Sequence, residues 1–406
     1  MLKSATPTQE VRTNHLGFSL VEMMVAMALS LLVVGSLIAL FVGFHSASGT
    51  TAGISSLTDN GRFALNYIEQ TTRSAGFLAC STSSASQNIL TGSSGAQEIY
   101  YNFSQAMEGY EALNTGPGGV VTLLESPTQA QSVVGNWTPP LNVHLKLDLT
   151  PSGTDPGGVI SGSDILVVRE SAQNAQQPTT YVTSIVDGST SFVVNNVGQP
   201  GELLTLQPNQ LAAISNCGKN YVFQITGVAG TAPATISHAS GSGSLNSSST
   251  FAANTGSFTA GSQVSPVNTI VYYIGVGADG DGALFRADLL SNPGGPTSFY
   301  PVELVPDIEN MQILYGVDTT AGSTTSVNQY LTADQVTDFN TVMSVKVALL
   351  SASPIVASKN TGPGALTNVP STAQTFSLLG TAVTAPLDTR LRRVFEVNIA
   401  VRNAVK

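Results

Sequence analysis

From Phe18 to Phe44 the sequence runs through 27 residues with a single charged side chain, Glu22, and no further Asp, Glu, Lys or Arg occurs until Asp59. As a helix rising about 1.5 Å per residue, this run is about 40 Å long, more than the ~30 Å hydrocarbon core of a bilayer. It exceeds the roughly 7–15-residue apolar core of a cleavable secretory signal, and Ala47-Ser48-Gly49 is a weak small-residue cleavage site. The run therefore predicts a membrane-spanning helix. Ahead of it, Lys3 and Arg12 outnumber Glu10, which keeps the N-terminus in the cytoplasm and sends the rest of the chain across.

Composition narrows what the rest can be. Only 10% of residues are charged, against about 25% in an ordinary soluble domain, yet the formal net charge is −10. An acidic chain of this kind lacks the basic face needed to neutralise nucleic-acid phosphates, so no nucleic-acid partner is expected. An apolar share of 42% argues against disorder and is enough to build a sizeable core.

Glu22 needs a reason, because a carboxylate within lipid costs about 2.5–3.5 kcal/mol. The residues around it supply one. Gly17-Phe18-Ser19-Leu20-Val21-Glu22-Met23-Met24-Val25-Ala26 resembles the class III leader junction of type IV prepilins. The resemblance implies that a prepilin peptidase cuts after Gly17 and methylates the new N-terminal residue, Phe18. His15-Leu16 stand where a Lys or Arg commonly precedes the glycine. It also implies that Glu22 neutralises the Phe18 amine of a neighbouring subunit and so sets the axial register between packed helices. The amine is largely cationic near neutrality, and pairing offsets the desolvation of both groups.

The likeness continues downstream. Asn60-Gly61-Arg62-Phe63-Ala64-Leu65, Arg73-Ser74-Ala75-Gly76-Phe77-Leu78-Ala79-Cys80, Leu304–Asp318 and Arg392–Asn403 are similar to the PilW-type minor pilins. What this implies is an α+β, pilin-like fold. Residues 1–17 form the leader. Residues 18–76 form the N-terminal helix, with 18–44 crossing the membrane. Residues 77–406 form a β-rich periplasmic or extracellular head of one lobe or two. The implied function is that of a minor pilin in the bacterial inner membrane, later at the cell surface, which joins a type IV pilus and helps to start its assembly. Adhesion and twitching motility would follow from that. The implied partners are the prepilin peptidase, other minor pilins, the major pilin and the inner-membrane assembly platform. Two other readings fit the same helix: a minor pseudopilin of type II secretion, and a pilus-associated adhesin whose Ser/Gly-rich middle binds a ligand.

Several residues carry expectations of their own. Apolar or small side chains at 54, 57, 61, 64, 65 and 68 recur at helical spacing and extend the helix to a stop at Gly76. Gly35, Ala39 and Gly43, four apart on one face, let helices approach closely in lipid. Strands are expected at 164–169, 180–186, 191–197, 221–228, 269–277, 345–351 and 394–401, from β-branched and aromatic runs between turn residues. Thr332-Ala333-Asp334-Gln335 reads as a capping box opening a short helix to about Met343. Cys80 and Cys217, an even pair in an exported head, are expected to form a disulfide.

No catalytic constellation emerges, and no enzymatic activity or cofactor is expected. There is no nucleophile elbow, Walker loop or His-Glu-x-x-His, and His144 and His238 stand alone. Asp279-Gly280-Asp281-Gly282 resembles the front of a calcium loop but lacks its closing Glu, so a turn is favoured and calcium at Asp279 and Asp281 stays a weak alternative. Arg390, Arg392, Arg393, Arg402 and Lys406 gather at the C-terminus, where a solvated strand edge is favoured over a docking patch.

Overall fold

The computed structural model describes residues 19–82, 86–90, 98–124, 134–141, 158–171, 180–185, 189–197, 206–248, 251, 258–289, 300–320, 326–354, 372–388 and 390–401. Helix α1 runs over Leu20–Ser74. It crosses the boundary between two compact units: its residues through Ala52 belong to one, and those from Gly53 belong to the other. Its first part, Leu20–Phe44, is long and apolar enough to cross a membrane, and its side chains are exposed along its length. Serines in this span are satisfied locally, Ser30 Oγ donating to the Met27 carbonyl at 2.9 Å and Ser36 Oγ to Val33 at 2.8 Å. Such back-bonding removes a polar group that lipid cannot solvate.

The second part of α1 buries one stripe: Gly53, Leu57, Gly61, Ala64, Leu65, Ile68, Thr71 and Thr72. The spacing of three and four is that of one helix face. Ile54, expected on the stripe, is exposed, and Gly53 takes its place. The helix ends where expected. Gly76 adopts φ +75°, a left-handed stop that costs glycine nothing, and its N–H donates to the Arg169 carbonyl at 2.8 Å.

Eight strands carry the argument in the head: β1 (Ile165–Ser171), β2 (Leu211–Ser215), β3 (Asn220–Gln224), β4 (Gln263–Val276), β5 (Gly282–Asp288), β6 (Ile308–Val317), β7 (Val342–Ala352) and β8 (Arg392–Ala400). Strands β6, β7 and β8 pair antiparallel in that order, with Gln329–Leu331 on the outer edge of β6. Side chains alternate across this sheet. Val345, Val347 and Leu349 join Ala64, Leu65 and Ile68 of the helix in one core. Ala348 and Leu350 point the other way, against Leu378 and Val383 of a small sheet. The order helix, four-stranded sheet, small sheet follows from the two-residue period of a strand covered on both faces.

Strand β4 ties the rest together. Its front, Gln263–Pro266, pairs with β2, and its remainder with β1 and β5. Ile270, Tyr272 and Ile274 face the helix core, while Val271 and Tyr273 face a second core around Trp137, Tyr100 and Phe103. A third core, with Phe192, Phe223, Phe251 and Phe258, lies beyond β2 and β3.

Three expectations are corrected. The run 221–228 is two strands, β3 and Gly227–Gly230, because Ile225 bonds back to Gln210 while Thr226 turns to Ser237, a different neighbour. Strand β4 starts six residues earlier than read, through Pro266, which tolerates its place opposite Ala212. The capping box does not form an α-helix. Ala333–Gln335 and Phe339–Thr341 are separate 3-10 turns, Thr332 makes no cap bond, and Asp338 caps the second turn by accepting from Asn340 N–H. Met343 already lies in β7. Asp338 draws the chain into a new turn before a helix can propagate, in the way short polar side chains compete for backbone groups.

Candidate functional site

The residues singled out at the membrane end lie in α1. Glu22 stands in its first turn, exposed, where a carboxylate also complements the positive end of the helix dipole. Gly35, Ala39 and Gly43 are exposed, and a Cβ built on either glycine would meet nothing within 4 Å. Gly17, Phe18 and the leader lie outside the described residues, as do His144, Arg402 and Lys406.

Gly61 is a different case. A Cβ there would come within 2.4 Å of the Phe395 ring, so the missing side chain lets α1 settle onto β8. Polar contacts pin the same face: Asn60 Nδ2 donates to the Pro306 carbonyl at 3.3 Å, Ser351 Oγ to the Leu57 carbonyl at 3.1 Å, and the Thr71 and Tyr272 hydroxyls bond at 2.8 Å. Cys80, just past the helix, is bonded to Cys217 in the turn between β2 and β3. A link closing a loop of 137 residues restricts the unfolded chain by up to about 5 kcal/mol in the loop-entropy account.

The C-terminal arginines correct the solvated-edge expectation. Arg390 and Arg392 are buried among acids of their own chain. Arg390 pairs with Asp307 and reaches Asp281 at 3.1 Å; Arg392 grips Glu309 at 2.7 Å and Asp388 at 2.6 Å. Arg393 points the other way, as neighbouring strand residues must, and sits 5.3 Å over the Phe395 ring. Burial, with the charges of Asp279, Asp281 and Glu309, pushes the Asp307 carboxyl up to about 6 against the pull of Arg390. Asp388 is held below the usual range by Arg392, against the effect of burial. Asp279, Asp281 and Asp307 lie close enough to share an ion, but Arg390 pairs with two of the three. The Asp279–Gly282 stretch is a turn, closed by Gly277 N–H to the Asp281 carbonyl at 2.7 Å. Sequence reasoning missed Asp307, Glu309 and Asp388: Glu309 lies on β6 and Asp307 just before it, 83 positions from the arginines they meet, while Asp388 is four residues from Arg392 and its spacing could have been noticed.

His238, the one histidine outside the helix among the described residues, is packed in the third core. It stacks on Phe251 at 4.3 Å, and burial pushes its pKa down to about 4. That makes it a neutral core side chain.

Residues 271–403 match the family model described as Type IV Pilus-assembly protein W, and residues 12–38 match the prokaryotic N-terminal methylation motif. The two matches place a stretch similar to PilW behind an N-terminus similar to that of prepilins. The PilW region begins within β4 and takes in β5 to β8, hence the whole sheet on which α1 lies. Gly61, Asn60 and Thr71 fall outside the matched span, yet each touches it, at Phe395, Pro306 and Tyr272. No curated protein matches. Among solved structures, the type IV-like pilin TTHA1219 from Thermus thermophilus is similar at 17% identity over 49% of this chain and 86% of that chain. Its TM-score is 0.20, and the likeness carries no argument here.

Proposed function

We propose that the protein is a minor pilin whose role is structural. Prepilin peptidase cuts after Gly17 and methylates Phe18; the chain then rests in the inner membrane with its head outside the cytoplasm. It leaves lipid by packing Leu20–Phe44 against the helices of other pilins, Glu22 meeting a neighbour's Phe18 amine and Gly35, Ala39 and Gly43 allowing close approach. Early entry of such a subunit helps to prime the pilus. The observation that carries this reading is the pairing of an apolar helix that finds no cover among its own chain's described residues with a PilW region that receives the rest of that helix. Deleting the gene while scoring surface pili, protein secretion and attachment tests it. Loss of pili with secretion intact is expected. Loss of secretion with pili intact would mean a type II pseudopilin, and intact pili with lost attachment an adhesin.

A further inference from the structure

The third core holds a titratable ring among its aromatics. His238 is 0% exposed, and both its ring nitrogens are buried without a hydrogen-bond partner. The imidazole stacks on Phe251 at 4.3 Å and meets Phe192 at 5.7 Å and Phe223 at 5.6 Å. Those phenyl rings also touch one another, Phe223 lying 5.5 Å from Phe251 and 5.9 Å from Phe192. A neutral imidazole left without partners is tolerated at a cost.

The backbone around His238 is tied to the strands that enclose its ring. Its N–H donates to the Thr190 carbonyl at 2.9 Å, next to the strand Ser191–Val194 that carries Phe192. Its carbonyl accepts from Asn246 Nδ2 at 3.1 Å. Asn246 is held in turn by Gln224 at the end of β3, accepting from its N–H at 2.8 Å and donating to its carbonyl at 2.8 Å.

The same region is nearly without charge. Between Lys219 and Asp279 there is no Asp, Glu, Lys or Arg, and from Thr180 to Ser262 the only ones are Asp187, Glu202 and Lys219. Lys219 is exposed in the turn between β2 and β3, and Asp187 and Glu202 lie outside the described residues. Among the described residues, no charged group faces the imidazole from its own strand Ala234–Ser237, from Ser191–Val194, from β3 or from Phe251. The titratable neighbour is the Tyr221 hydroxyl, whose ring packs on Phe251 at 5.6 Å. An imidazolium here would be a buried cation with no carboxylate to pair with. The faces of the phenyl rings attract a cation, but more weakly than the water it gives up.

We propose that His238 is an acid-sensitive latch on the third core: when its ring takes up a proton, the lobe built on this core opens, while β6, β7, β8 and the helix stripe packed on them stay folded. This goes beyond the pilin reading and does not depend on it. The open lobe stays tethered, because Cys217 in the turn between β2 and β3 is bonded to Cys80. Burial, against help from its own backbone, holds the folded-state pKa of His238 at about 4, below the ordinary 6.5. The stability of the lobe is therefore full above pH 6.5 and falls as pH drops toward 4. Glu111 and Asp164, buried together beside the Thr115 hydroxyl, work in the opposite direction. Burial pushes Glu111 up to about 7 and Asp164 well above the carboxylate range. Raised carboxyls lose stability as pH rises, so acid favours their part of the head while it loosens the lobe.

The test is hydrogen exchange read by mass spectrometry on the full chain in detergent micelles, with protection corrected for the pH dependence of intrinsic exchange. Peptides covering Phe192, Phe223 and Ala234–His238 should lose about twentyfold in protection between pH 7 and pH 5, the ratio given by a fall from 6.5 to about 4. Peptides of β6 and β7 should not. His238→Phe should make the lobe's protection independent of pH over that range, and His238→Met serves the same purpose if the larger ring is not accommodated. Asp187→Asn and Glu202→Gln should leave the loss in place. Equal protection at pH 5 and pH 7, or a parallel loss in β6 and β7, would overturn the latch. So would a pH dependence that survives replacement of His238, or one that disappears in Asp187→Asn or Glu202→Gln.

Discussion

The two parts of helix α1 differ in where they find cover. From Leu20 to Phe44 its side chains are almost all exposed and, apart from Glu22, Ser30 and Ser36, apolar or small, and two of its glycines have open space where a side chain would go. From Gly53 to Ser74 one stripe is buried against the head, the other face is mostly polar with Ile54 and Phe63 exposed, and Gly61 has an aromatic ring where a side chain would go. Both parts are helical, so backbone propensity does not separate them. The second part is stabilised by its own chain; the first needs lipid or other helices. The glycines say the same on a smaller scale: Gly61 is required by a neighbour within the chain, and Gly35 is available to one outside it.

Substitutions sharpen this contrast. Ile68→Ala, at a fully buried position, is expected to lower the urea unfolding free energy of the head by about 3 kcal/mol, read through Trp137 fluorescence. Gly61→Val drives a branched side chain into Phe395 and is expected to cost about 2 kcal/mol in the same assay. Gly35→Val, the same change in the other part, should change the unfolding free energy of the head by less than about 0.5 kcal/mol. Its effect should appear instead as reduced recovery of the protein in sheared pili, measured by immunoblot. If Gly35→Val unfolds the head, the division of labour along the helix is wrong. Glu22→Leu should have the smallest effect on the head, none beyond the error of the unfolding assay, and yet reduce incorporation into filaments. Unchanged incorporation would remove Glu22 from the register role.

Much of this was legible in the sequence because it rests on local pattern. The apolar run, the helix stop at Gly76 and most strands follow from side-chain period and turn residues. The family likeness at 60–80, 304–318 and 392–403 fell on segments that the structure brings into contact. What escaped depends on distance. Arg392 reads as one charge on a strand until β6 brings Glu309 beside it. Glu111 and Asp164 are 53 positions apart, and neither is unusual alone. The capping box failed because Asp338 offers a competing turn. The third core gathers Phe192, Phe223, His238 and Phe251 from four separate segments, with no period to reveal them.

The central claim is that the exposed apolar helix belongs to a processed pilin. Mass spectrometry of the mature N-terminus tests it most directly. An N-terminal peptide beginning at N-methylated Phe18 is the expected result. An N-terminus near residues 47–49, with the apolar run removed, would contradict the account.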